Sequence, residues 1–169
     1  APGVGQGKGQ AAIDQSFLWK YGKDPAHPLY TKLSQSERQK LRAAAAKVGI
    51  APVTFDSLRP WLAALTLTKA PLQQAGYAGE AGVDNQLLIQ AKAANKKVFG
   101  LETVEQQMRF FADLPPEMEL ALLTQTIDSI DTAPDQLDRL AGAWLAGDVD
   151  ALDALLKDEG MGVSDKRLR

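Results

Sequence analysis

Residues 82–107 read GVDNQLLIQAKAANKKVFGLETVEQQ, from Gly82 to Gln107, and this stretch sets the expected architecture. Asp84 stands where a helix N-cap carboxylate can accept a free backbone N–H, ahead of Leu87, Leu88 and Ala91 at helical spacing. Lys97-Val98-Phe99-Gly100-Leu101 is the one good strand candidate, and Glu102 sits where that strand ends. Thr103-Val104-Glu105-Gln106 then forms a capping box, opening a helix that turns Met108 and Phe111 inward. A single strand cannot satisfy its own backbone hydrogen bonds. It must pair with another segment or belong to a larger sheet.

On both sides of this stretch the pattern is helical. Ser34-Gln35-Ser36-Glu37 is another capping box, and its helix is expected to run to about Lys47 and stop at Gly49. The next helix begins near Leu58-Arg59-Pro60, with Leu58, Trp61, Leu62, Leu65 and Leu72 as its buried stripe. Pro71 is expected to kink or end it. Pro115-Pro116 launches a helix with Leu120, Leu123, Ile127 and Ile130 in register. Leu137, Leu140, Ala141, Trp144 and Leu145 mark another, ended by Gly147, and Asp148 caps the last, with Leu152, Leu155 and Leu156 inward. The expected fold is mainly α, seven or eight helices with one or two short strands, and the resemblance described below implies that it is part of a larger α/β fold. Residues 1–10, APGVGQGKGQ, read as a flexible leader and 11–169 as one helical domain.

Composition narrows the chemistry. The absence of cysteine removes thiolate metal sites and cysteine nucleophiles, and the one histidine, His27, cannot build a multi-histidine metal centre. His27 lies in DPAHPLY and reads as a solvated loop residue. Residues 1–100 carry 13 Lys/Arg against 6 Asp/Glu, whereas residues 101–169 carry 6 against 15. The basic half has no aromatic-interleaved cluster, so nucleic acid is not an expected partner. No apolar run is long enough to span a membrane. The glycines at 3, 5, 7 and 9 lack the Lys-Ser/Thr of a phosphate loop, and no G-x-S-x-G elbow occurs.

Several blocks in order resemble the TraB/GumN family, whose relatives include the Tiki metalloproteases. They are Leu58 to Leu67 (LRPWLAALTL), Gly82-Val83-Asp84, and Val98 to Thr103 (VFGLET) with Gln106 and Gln107. Ala143 to Asp148 (AWLAGD) completes the set, and the likeness covers roughly residues 28–160. The resemblance implies a metal-dependent, peptidase-like hydrolase using Mn, Co or Zn, an extracytoplasmic bacterial location and, by the family's name, an association with polysaccharide biosynthesis. It also implies two Gly-x-x-His motifs as metal ligands. Neither occurs in this chain, so no metal ligand is assigned and the chain is expected to be inactive alone, the helical middle of such a protein.

Within that resemblance Glu102 is the catalytic candidate, and Arg59 and Asp84 are the substrate-binding candidates. Each has a plainer reading. Glu102 is favoured by the dipole of the helix that follows. Asp84 suits an N-cap, and Arg59 suits packing on an aromatic surface or capping a neighbouring helix end. Trp19, Trp61 and Trp144 read as core or interface residues. The competing function is a non-catalytic helical module that binds a peptide or protein and self-associates through exposed helix faces.

Overall fold

The computed structural model describes residues 15–74, 76 and 81–158. The leader of residues 1–10 and the side chain of Trp19 lie outside what is described. The described residues form eight α-helices: α1 (Gln15–Gly22), α2 (Gln35–Lys47), α3 (Pro60–Gln74), α4 (Val83–Ala93), α5 (Val104–Ala112), α6 (Pro116–Ser129), α7 (Ala133–Ala146) and α8 (Val149–Asp158). Two short 3₁₀ turns, Leu29–Lys32 and Pro52–Ser57, lie on either side of α2. The chain divides into two compact units, Ala1–Ile130 and Asp131–Arg169.

Local chemistry accounts for most helix ends. At α2 the Glu37 N–H donates to Ser34 Oγ (3.3 Å) and the Ser34 N–H donates to Glu37 Oε2 (2.7 Å). Gly49, just beyond, takes φ 72°, where a side chain would be strained. Thr103 and Gln106 repeat the reciprocal pair at α5, at 3.1 and 2.7 Å. Removing the Ser34 hydroxyl, as in Ser34→Ala, is expected to cost about 1 kcal/mol of stability in urea unfolding. Hydrogen bonds from the Ser34 side chain and backbone hold the Glu37 carboxyl below the usual glutamate range. A depressed carboxylate contributes stability above its unfolded value and loses it as pH falls through the folded one. The gap between wild type and Ser34→Ala should therefore narrow below about pH 4.

In the first unit, α3 packs on α6, and α2 and the 3₁₀ turns close the core around them. Leu29, Leu41, Phe55, Leu67 and Leu123 are fully buried there, and Ala44, Ala45, Ala63 and Ala64 belong to the same core. The face of α3 differs from the leucine stripe expected. Leu58 and Trp61 are buried as expected, but Ala63, Ala64 and Leu67 complete the inward face, while Leu62 and Leu65 are half-buried and Leu72 is exposed. Small residues let two helix backbones approach, and the bulkier leucines fall to the flanks. Pro71 does not end α3, which continues to Gln74. The missing N–H forfeits the bond that the Leu67 carbonyl would accept, and the helix carries that single loss through its last residues.

The expected strand differs too. Lys97–Leu101 is neither helical nor paired; Val98, Phe99 and Leu101 are exposed, Leu101 completely. The β-type pairing among the described residues is an isolated antiparallel bridge between Lys23 and Leu58. The Asp24 N–H donates to the Ser57 carbonyl (3.0 Å) and the Arg59 N–H to the Gly22 carbonyl (2.8 Å). This clip fixes Arg59 at the entrance to α3.

The second unit is an α-helical hairpin in which α7 packs on α8. Gly147 adopts φ 69° and closes α7 by donating to the carbonyls of Ala143 and Trp144. Asp148 Oδ1 then accepts from the Ala151 N–H at 2.9 Å, as the sequence pattern requires. Leu152 and Leu155 are half-buried, and Leu156 is exposed.

Candidate functional site

Arg59 organises a partly buried polar site in the first unit. Its Nη1 donates to the Tyr21 carbonyl at 2.9 Å and its Nη2 to the Ala112 carbonyl at 2.8 Å. Nη2 also donates to Glu119 Oε1, forming an ion pair. Tyr21 lies in the last turn of α1 and Ala112 ends α5, so one guanidinium satisfies carbonyls at two helix C-termini. This is the helix-end role anticipated for Arg59. Trp61 supports it from the next turn: its Nε1 donates to the same Tyr21 carbonyl at 3.3 Å, and its ring stacks on Phe111 at 6.4 Å.

Glu119 is the partner that the sequence did not announce. It sits in the first turn of α6 and is 3% exposed, the one charged residue in the core of the described chain. Its Oε1 is held by Arg59, while its Oε2 is buried with no hydrogen-bond partner. A charge this deep is tolerated only with a partner, and half of this carboxylate lacks one.

Beside this pair opens a cavity of about 520 Å³. Arg59, Glu119, Glu117, Asp24 and Lys32 line it, with Pro60, Pro116 and Leu120 as apolar wall. Lys32 Nζ lies 3.1 Å from Asp24 Oδ2, and His27 Nδ1 lies 2.9 Å from Asp24 Oδ1. Burial pushes the Asp24 carboxyl up, but hydrogen bonds from His27 and Lys32 outweigh it, and the net direction is down. The side chain of His27 is itself 73% exposed, a surface loop residue as expected.

The structure does not bring Glu102 and Asp84 to this cavity. Asp84 is exposed in the first turn of α4, and the N-cap position there belongs to Gly82. Glu102 is exposed in the loop that precedes the α5 capping box. Among the described residues no group of three or more His, Cys, Asp or Glu side chains could hold a metal ion. The donors present do not fit the divalent metal that the family likeness implied, and no metal-dependent step is assigned to them.

A family profile, the TraB/PrgY/gumN family, matches residues 6–168, nearly the whole sequence and more than the four blocks suggested. The chain belongs to the TraB/PrgY/gumN family. It is similar to the uncharacterized protein YbaP of Escherichia coli (strain K12), 32% identical over 117 residues. The aligned part is 69% of this chain and 44% of that protein. The YbaP of Shigella flexneri matches with the same figures. The match thus takes in less than half the length of these curated relatives. No solved structure matches. Among the described residues no helix is long and apolar enough to cross a membrane.

Proposed function

We propose that this chain is the helical substrate-recognition portion of a metal-dependent, peptidase-like hydrolase of the TraB/PrgY/gumN family. On this reading it is inactive by itself. The observation that carries the proposal is the segment from Val98 to Glu102. Val98, Phe99 and Leu101 are 52, 75 and 105% exposed, and they lead straight into a carboxylate. Apolar residues of strand-forming type gain most when they pair at a sheet edge, where the backbone is satisfied and one face is covered. A strand supplied by the rest of a longer family protein would do both. It would also seat Glu102 at a strand end before a helix, the usual place for a pocket-facing group in an α/β fold. Metal ligands would come from outside these 169 residues, as would the location outside the bacterial cytoplasm. The hydrolase class itself rests on the likeness of the sequence blocks.

The test uses a full-length family protein containing this sequence, assayed on unstructured peptides with Mn²⁺, Co²⁺ or Zn²⁺. Cleavage is expected there and not from the 169-residue chain. Glu102→Gln should lower the rate about 100-fold, the scale of a lost acid–base group, without loss of fold. Amides 98–101 should exchange slowly in the long protein and rapidly in the isolated chain. Equal exchange in both, or full activity of Glu102→Gln, would refute the assignment. A second reading, a non-catalytic module binding a peptide, a protein or a second copy of itself, is favoured by one feature. Trp144, Leu145 and Val149 are 71, 85 and 73% exposed around the α7–α8 turn.

A further inference from the structure

We infer that the cavity beside Arg59 and Glu119 is a binding site for a primary ammonium group carried on an aliphatic stem, the group found on a lysine side chain or a peptide N-terminus. Two cations, Arg59 and Lys32, supply the charged donors at the cavity wall. Arg59 spends its guanidinium on the Tyr21 carbonyl, the Ala112 carbonyl and Glu119 Oε1. Lys32 is engaged by Asp24 at 3.1 Å. The buried side-chain atom left without a partner is an acceptor, Glu119 Oε2, in the wall of a cavity of about 520 Å³.

Charge points the same way. Asp24, Glu117 and Glu119 face Lys32 and Arg59 around the cavity, leaving one carboxylate in excess. An anion entering here would meet that excess, and each cation already faces a carboxylate, Lys32 at Asp24 and Arg59 at Glu119. An ammonium would meet an acceptor lacking a partner, in surroundings where a charge-assisted hydrogen bond is strong. Oε2 is enclosed by the wall as it stands, and the terminal torsion of a glutamate is broad; because both oxygens turn together, an incoming ammonium would share the carboxylate with Arg59 as it turns. Pro60, Pro116 and Leu120 supply the apolar surface that a methylene stem would cover. Three carboxylates do line the wall, yet the described residues hold no cluster able to ligate a metal ion, which favours an organic cation. None of this depends on Glu102 or on hydrolysis.

The test is an NMR titration of the 169-residue chain with n-butylammonium, with butyrate as the matched anion. Saturable shifts are expected at the amides of Glu119 and Leu120 with n-butylammonium and not with butyrate. Nα-acetyl-lysine amide and alanyl-alanine amide then separate a side-chain ammonium from an N-terminal one. Glu119→Gln should weaken n-butylammonium binding about tenfold or more, as expected when a charged acceptor is lost. If that variant unfolds, Lys32→Met decides, since it leaves Glu119 and Arg59 untouched and removes a competing cation: binding should tighten severalfold. Butyrate binding as well as n-butylammonium, no saturable shift with either, or unchanged affinity in Glu119→Gln would each overturn the inference and leave Oε2 to an enclosed water.

Discussion

Arg59→Met is expected to destabilise the first unit by about 3 kcal/mol, seen as a lower urea midpoint with an unchanged slope. The substitution keeps the aliphatic length and removes the charge, so packing loss is small. It leaves the Glu119 carboxylate buried with neither oxygen paired, and it strips the Ala112 carbonyl of its guanidinium donor. The Tyr21 carbonyl keeps Trp61 as a donor. The side chains are 25% exposed for Arg59 and 4% for Glu119, so water can reach the arginine end and the lower part of the range for broken buried pairs applies. Arg59→Lys should fall between, because a point charge cannot reach three acceptors spread over two helix ends and a carboxylate. Adding Glu119→Leu to Arg59→Met should recover part of the loss, since the orphaned charge goes while the Ala112 carbonyl stays unsatisfied. Lys40→Ala is the control: it breaks the exposed Lys40–Asp128 pair and should leave the midpoint in place. An Arg59→Met variant as mild as that control would mean the guanidinium is ornamental.

This cluster also marks where the sequence stops being readable. Both capping boxes, the left-handed glycines at 49 and 147 and the Asp148 cap were legible because each is closed within about one helical turn. The burial register of α6 was legible for the same reason: Leu123 and Ile127 repeat on one face. The register of α3 was not. Leucines dominate its pattern, but the α3 residues in the buried core cluster are Ala63, Ala64 and Leu67, and hydrophobic size is a poor guide to burial. Glu119 was illegible for a stronger reason. In Pro115-Pro116-Glu117-Met118-Glu119 it looks like any acid in a helix first turn, and its partner lies 60 residues earlier. The one available signal was Arg59 itself, whose expected helix-end role demanded acceptors from elsewhere. The strand expectation at 97–101 read the residue types correctly as β-forming, but pairing needs a neighbour that no local pattern can supply.

Trp61→Ala is expected to cost about 3–5 kcal/mol, the range for truncating a fully buried large aromatic. Trp61 has no exposed surface, stacks on Phe111 of α5 and donates to the Tyr21 carbonyl of α1, so one side chain ties α3 to two other helices. The hydrogen bond is the smaller part of that cost, because Arg59 still donates to the same carbonyl. The larger part is the cavity, which α1 and α5 cannot close without moving the ends that Arg59 holds. Trp61→Phe should therefore retain more than half the lost stability, filling most of the space without the N–H. Trp144→Ala should shift stability by no more than about 0.5 kcal/mol, since that ring is 71% exposed in the second unit. Difference spectra against wild type separate the two residues over the constant Trp19 emission: the signal lost with Trp61 should be blue and buried, and the signal lost with Trp144 red and solvent-exposed. Comparable losses from both substitutions would mean that Trp144 is covered in solution, and the self-association reading would then gain over the hydrolase one.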